Sequence, residues 1–150
     1  MRLVLQRVKW ARVEVDGKIV GAIESGLLVL VGATNGDTER DAEILAERTV
    51  NLRIFEDDND KMNLSLKDVG GEVLAVSQFT LYADTRKGRR PAFTDALEPI
   101  EAEKLFELYK NRVETEGVHV ASGVFGAKMG VELCNWGPVT IILDSEEKRK

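Results

Sequence analysis

The apolar positions along this chain change period several times, and each change marks an element. Over the first 33 residues they predict three strands. Val13 and Val15 alternate with polar neighbours, and Asp16-Gly17 supplies a hairpin turn. Gly26 to Val31 is continuously apolar, the pattern of a strand covered on both faces. The period then becomes helical. Thr38-Glu39-Arg40-Asp41 has the form of a capping box and opens a helix to about Asn51, with Ala42, Leu45, Ala46 and Val50 on its buried stripe. Leu52 to Phe55 and Met62 to Leu64 flank an acidic turn and read as a hairpin. Gly70-Gly71 leads into a strand whose Val73 and Ala75 face one way and Leu74 and Val76 the other, so both faces read as buried.

Pro99 suits a first helical turn, with Glu101 and Glu103 near the positive end of the dipole. Ala102, Leu105, Phe106, Tyr109 and Val113 recur at helical spacing until Gly117. Short strands follow near Val118 to Ala121, Ala127 to Leu133 and Val139 to Leu143. The prediction is therefore α+β, a strongly curved, barrel-like and mostly antiparallel sheet of about eight strands with two helices. The 150 residues fit a single domain, 1–150, with a frayed tail from about residue 145.

Composition narrows the class without selecting a function. A hydrophobic content of 43% with 31% charged residues is ordinary for a soluble domain. No apolar run approaches the roughly 18 to 20 residues of a membrane span, and the N-terminus lacks the apolar core of a signal peptide. The single Cys134 excludes an intrachain disulfide and suits the cytoplasm. A net charge of −5 argues against a general nucleic-acid coat. Local basic sets remain: Lys87, Arg89 and Arg90 beside Arg86, and the looser Arg2, Arg7, Lys9 and Arg12.

Two segments, about sixty residues apart, interrupt apolar strand runs: Ser77-Gln78-Phe79-Thr80 and Asn135-Trp136-Gly137-Pro138-Val139-Thr140. A strand that turns polar at its end delivers side chains and free N–H groups to a cleft, or merely satisfies local backbone groups. Proline lacks a ladder donor and is excluded from central strands, so Gly137-Pro138 is either a turn or a place where carbonyls are aimed at a ligand ammonium. Two letters do not reveal the isomer of that bond. Lys87-Gly88-Arg89-Arg90-Pro91 reads equally as a phosphate grip or as a solvated turn, and lacks the spacing of a P-loop. Glu56 to Asp60 lacks the central Gly and terminal Glu of a calcium loop and reads as an exposed hairpin tip. The lone His119 reads as a strand residue, and a Cys134–His119 dyad lacks a third, orienting group.

Taken together, Ser77 to Leu81, Lys87 to Phe93, Phe125 to Met129 and Asn135 to Thr140 closely resemble the D-aminoacyl-tRNA deacylase family, in order and in spacing. The likeness runs from Gln6-Arg7-Val8 through the last strand, with one departure: Trp136 stands where that family usually carries an aspartate. The resemblance implies a homodimeric esterase, with its active site at the subunit interface, that removes D-amino acids and glycine from the 3′ end of mischarged tRNA. It implies a cis Gly137-Pro138 peptide inserted into the partner's pocket, carbonyls that hold the substrate α-ammonium, and a steric block to L-substrates. Arg7 would orient that segment and Met129 would pack against it. The Phe79 amide, with Thr80, would stabilise the oxyanion, and Ser77 and Gln78 would shape the adenosine side. Lys87, Arg89 and Arg90 would meet RNA, and neither metal nor organic cofactor is needed. The competing expectations are a non-catalytic tRNA-binding module built on the 87–90 patch and a thiol hydrolase using Cys134.

Overall fold

The first strand, β1 (Arg2–Val15), is the spine of the molecule, because three other strands pair with it. The computed structural model describes residues 1–149, with side chains through residue 147. Asp16 and Gly17 take positive φ values of 49° and 78° and turn the chain into β2 (Lys18–Ile23), the predicted hairpin. β3 (Gly26–Gly32) takes residues 2–8 of β1, whereas β2 takes residues 11–15. Between these halves β1 bulges: Lys9 and Trp10 stand opposite the single Cys134, while Val8 and Ala11 remain buried. A bulge bends a strand and strengthens its twist, which lets one strand serve two parts of a curved sheet.

The next elements are α1 (Glu39–Asn51), a two-strand hairpin of β4 (Phe55–Glu56) and β5 (Met62–Leu64), and a single turn, α2 (Leu66–Val69). The expected capping box starts α1, with the Thr38 N–H donating to Asp41 Oδ2 at 2.8 Å. β6 (Glu72–Ser77) lies parallel to β3, and after a 3-10 turn (Phe79–Tyr82) comes α3 (Pro99–Thr115). Glu98 caps α3 by accepting from the Glu101 N–H at 2.7 Å. β7 (Val120–Ser122) runs parallel to β6, and β8 (Gly130–Asp144) runs antiparallel along β1. A last turn, α4 (Glu146–Arg149), ends the described chain.

The main sheet has six strands in the order β2-β1-β3-β6-β7, with β8 on the other edge of β1. Its two ends curl together. A Cβ added to Gly21 of β2 would lie 2.5 Å from the Ser122 carbonyl oxygen of β7, so only glycine permits that approach. Alternation then sorts the core into two. Leu27, Val29, Val73 and Ala75 face Leu45, Phe106 and Tyr109 of the helices. Leu28, Leu74 and Val76 fill the barrel interior with Val8, Val13 and Ile23. Both faces of β3 and β6 are covered, as their continuous apolar runs predict.

The structure departs from expectation in three places. The segments expected as separate strands before and after the Gly-Pro pair are one strand, because residues 136–139 loop out opposite Arg7 alone and both flanks stay paired with β1. The eight strands divide into the curved sheet and the separate β4–β5 hairpin, and the two long helices are joined by two single-turn ones. The tail expected to fray from about residue 145 is tied at its root. Ser145 is fully buried, its N–H donates to the Met1 carbonyl at 2.9 Å, and its hydroxyl accepts from the N-terminal ammonium at 2.9 Å. Lys150 lies outside the described residues. No helix among the described residues is long and apolar enough to cross a membrane.

One polar pair joins the two long helices inside the core. The Thr49 hydroxyl donates to the Leu45 carbonyl at 2.7 Å, which leaves its oxygen to accept from the fully buried Tyr109 hydroxyl at 3.0 Å. Tyr109→Phe removes one satisfied bond and is expected to cost about 1 kcal/mol, whereas Thr49→Val strands the phenol and is expected to cost more, about 1–3 kcal/mol. Urea unfolding of both variants measures that order.

Candidate functional site

β6 carries the first polar segment to the end of the sheet. The Gln78 N–H donates to the Val31 carbonyl at 2.8 Å, and the Leu81 N–H donates to the Gln78 carbonyl at 3.2 Å. Phe79 and Thr80 lie between them as the first residues of the 3-10 turn. N–H groups at the start of such a turn have no carbonyl one turn earlier within it, so these two are oriented donors. The Thr80 hydroxyl accepts a short hydrogen bond from the Gln78 side-chain amide. Beside them opens a cavity of about 450 Å³, lined by Ser77, Gln78, Phe79, Phe93, Phe106 and Phe125 among others. Phe79 is more than half exposed and meets Phe93 edge to face, with ring centroids 5.1 Å apart. This is an apolar chamber with a few polar groups at one wall, the usual composition of a small-molecule pocket.

Phe93 also connects the cavity to the basic loop. Asp84 and Ala92 exchange backbone hydrogen bonds of 2.8 and 2.9 Å, closing the intervening residues into a loop. Arg86 is tied to Asp84 through contacts of 2.9 and 2.8 Å. Lys87, Arg89 and Arg90 are exposed and make no ion pair among the described residues, so this loop, which leads to the cavity-lining Phe93, carries three uncompensated cations.

The second polar segment stands elsewhere. Residues 136–139 loop out of β8 at the level of Arg7, and Trp136, Gly137 and Pro138 are all exposed. The Gly137-Pro138 peptide is cis. Asn135 closes the base of the loop: its Oδ1 accepts from the Val139 N–H at 2.8 Å and its Nδ2 donates to Thr140 Oγ1 at 3.0 Å. Arg7 holds it from within. This buried side chain donates from Nε to the Trp136 carbonyl at 2.9 Å and from Nη1 to the Ile54 carbonyl at 2.9 Å, with Glu56 Oε1 3.5 Å from Nη2. Gly137, at φ 132°, has room for no Cβ, which would lie 2.8 Å from Val139 Cγ2 and 2.9 Å from Arg7 Nη2.

One chain thus brings Ser77, Gln78, Phe79 and Thr80 together, and separately Arg7, Gly137 and Pro138, but does not join the two groups. Ser77 lies at the Val31 level of the sheet, whereas the Gly-Pro loop lies at the Arg7–Leu27 level. Met129 belongs to neither. It packs in the barrel interior, with its Sδ beside Gly123, and precedes β8 at the end farthest from the tail. Cys134 and His119 sit on segments that do not pair, and His119 faces Glu72 at 3.7 Å. The acidic turn is a hairpin tip: Asp57 Oδ1 accepts from the Asn59 N–H at 2.8 Å and the Lys61 N–H at 3.1 Å, and these bonds hold its carboxyl below the ordinary range. Sequence reasoning assigned no role to Asn135, Phe93 or Phe125. Each lies inside a quoted motif, yet a loop-closing amide and two cavity walls have no periodicity to reveal them.

Comparison with known proteins bears on the chemistry. The profile of the D-Tyr-tRNA(Tyr) deacylase family matches residues 4–144. The D-aminoacyl-tRNA deacylase of Desulfatibacillum aliphaticivorans is 60% identical over 97% of this chain and 100% of that one. That of Thermus aquaticus is 57% identical over 99% and 97%. Among solved structures, the c-Myc DNA Unwinding Element Binding Protein superposes with a TM-score of 0.90 at 37% identity, covering 96% of this chain and 98% of its own.

Two tests follow from the geometry. Arg7→Met leaves the Trp136 and Ile54 carbonyls without their donor and is expected to lower unfolding free energy by about 2–3 kcal/mol in urea titrations. Asp84 should titrate below the ordinary carboxyl range, because the Arg86 side-chain hydrogen bonds, then its backbone N–H, lower its pKa to about 2. The pair therefore contributes fully above the ordinary carboxyl pKa of about 3.9 and is lost as pH falls through about 2. Carbon NMR of Asp84 measures this, and Arg86→Ala should return the midpoint to the ordinary range.

Proposed function

The chain belongs to the D-Tyr-tRNA(Tyr) deacylase family and is a deacylase; on that premise we propose that it performs chiral proofreading as a homodimer. It hydrolyses the ester of D-aminoacyl-tRNA, and of glycyl-tRNA mischarged on a non-cognate tRNA, releasing the free amino acid and tRNA in the cytoplasm. The Gly137–Pro138 loop of each subunit enters the cavity beside Phe79 of its partner. The observation that carries this reading is the separation of the two groups within one chain. An exposed Gly137–Pro138 loop, anchored only at its ends by Arg7 and Asn135, and an apolar chamber with two oriented amides are each half of a site, and a second copy supplies the missing half.

In the assembled site the carbonyl oxygens of Gly137 and Pro138 accept from the substrate α-ammonium. A D-side chain then points outward, whereas an L-side chain collides with the Gly137 carbonyl. Glycine has no side chain to collide and is hydrolysed. Selection by collision makes the wrong enantiomer costly without binding the right one more tightly. Water adds to the ester carbonyl, and the developing oxyanion meets the Phe79 N–H, assisted by Thr80. The tetrahedral intermediate collapses by breaking the bond to the ribose oxygen, which takes up a proton; the neighbouring ribose hydroxyl assists the water. Thr80 acts as a donor or positioning group, because its hydroxyl is engaged by the Gln78 amide, which is not a base. Ser77 and Gln78 contact the adenosine side, and Lys87, Arg89 and Arg90 meet phosphates at the mouth.

Purified protein should hydrolyse a D-aminoacyl-tRNA and leave the L-ester intact; equal cleavage of both sinks the stereochemical account, and salt-sensitive tRNA binding without cleavage favours the binding-module alternative. Complementation tests the shared site. Gly137→Ala breaks the loop, and Phe79→Pro removes the amide donor at a position where proline suits a first turn. Each variant alone should be inactive. Mixed after denaturation and refolding, they should recover about a quarter of wild-type activity, since about half the dimers are mixed and each has one intact site. A mixture as inactive as its parts means that the site lies within one chain.

A further inference from the structure

Lys9 and Trp136 make a contact that the proposed chemistry leaves unused. The Lys9 ammonium lies 3.6 Å from the Trp136 ring centroid, well inside the range of about 6 Å for a cation–π contact. Lys9 reaches the ring because β1 bulges at Lys9 and Trp10. In a regular strand, successive side chains point to opposite faces, but here both stand exposed between buried Val8 and Ala11. Lys9 makes no ion pair among the described residues, so the ring is its partner. Trp136 itself is 52% exposed, with no other aromatic ring against it among the described residues.

The loop that carries Gly137 and Pro138 has few attachments. Asn135 closes its base and Arg7 holds the Trp136 carbonyl from within. Gly137 contributes no side chain that would resist rotation of the 136–137 peptide. On the outer side, Lys9 over the indole opposes that rotation. We infer that the Lys9–Trp136 stack is an outer brace of the Gly137–Pro138 loop and that both are positioning residues for stereochemical selection. The inference rests on the reading that the loop carbonyls meet the substrate. Rejection by collision is the property most sensitive to such a brace. An L-ester needs only a displaced loop to become hydrolysable, whereas a D-ester is already accommodated.

The test uses the full chain as Lys9→Met, Trp136→Ala and Trp136→Phe, each checked against wild type for its urea midpoint. In wild type, ring currents should move the Lys9 ε-methylene NMR signals upfield; the shift should vanish in Trp136→Ala and persist in Trp136→Phe. In Lys9→Met and Trp136→Ala, kcat/KM for the L-ester relative to the D-ester should rise about two- to fivefold, the population change equivalent to an exposed cation–π contact. Exchange of the Val139 amide, held by Asn135, should accelerate by a similar factor, and Trp136→Phe should restore both. An unchanged ratio in both loss variants, with unchanged Val139 exchange, overturns the brace. If wild type does not separate the enantiomers, the proposed function fails on its own, and the exchange measurement still decides: acceleration upholds the brace, and its absence overturns it.

Discussion

A guanidinium buried halfway along the longest shared strand is the interaction on which the rest depends. An unpaired charge in that position would be prohibitively costly, so its donors must be met. Arg7 meets them with two carbonyls, one from Ile54 at the entry to the hairpin and one from Trp136 at the start of the projecting loop, and with the Glu56 carboxylate 3.5 Å away. The same contacts that make the charge tolerable tie three distant parts of the chain together. Arginine suits the place because its planar fork reaches several acceptors at fixed angles, which a lysine does not.

The chemistry asked of this framework is modest, and the framework reflects that. An aminoacyl ester is already activated, so oriented backbone donors can supply much of the needed stabilisation. Phe79 and Thr80 acquire such donors from their place at the start of a 3-10 turn rather than from side-chain identity. The cavity beside them is walled largely by apolar and aromatic side chains, Phe79, Phe93, Phe106 and Phe125 among them. Under the proposed function, selection falls to other backbone atoms, those of Gly137 and Pro138. Both of these proposed tasks fall on the main chain, and neither needs a side-chain triad.

That division explains what was legible. Period alone placed β3, β6, α1 and α3, because burial on one face or two leaves an unmistakable spacing in residues such as Leu27 to Val31 and Leu105 to Val113. The turn at Asp16-Gly17 was readable from its left-handed preference. The bulge at Lys9-Trp10 was not, since two polar-facing positions in succession look like an ordinary lapse in alternation. Nor was the continuity of β8, because a looped-out segment containing proline has the same letters as a strand break. The α2 turn carried its own signal, Ser65-Leu66-Lys67-Asp68, a second capping box too short to stand out. The motifs around Phe79 and Pro138 were recognisable as a set, yet their separation within one chain is a property of register, which no motif encodes.

Gly21 has a further consequence. Where β2 comes against β7, the absence of a side chain allows two otherwise unpartnered strand margins to shield each other. An unpaired margin is a template on which foreign strands add, and a chain with runs as apolar as Leu27 to Val31 would be prone to such growth. A methyl group at this seam would prop the margins apart. The smallest residue in the sheet thus guards against intermolecular polymerisation, far from any reacting atom.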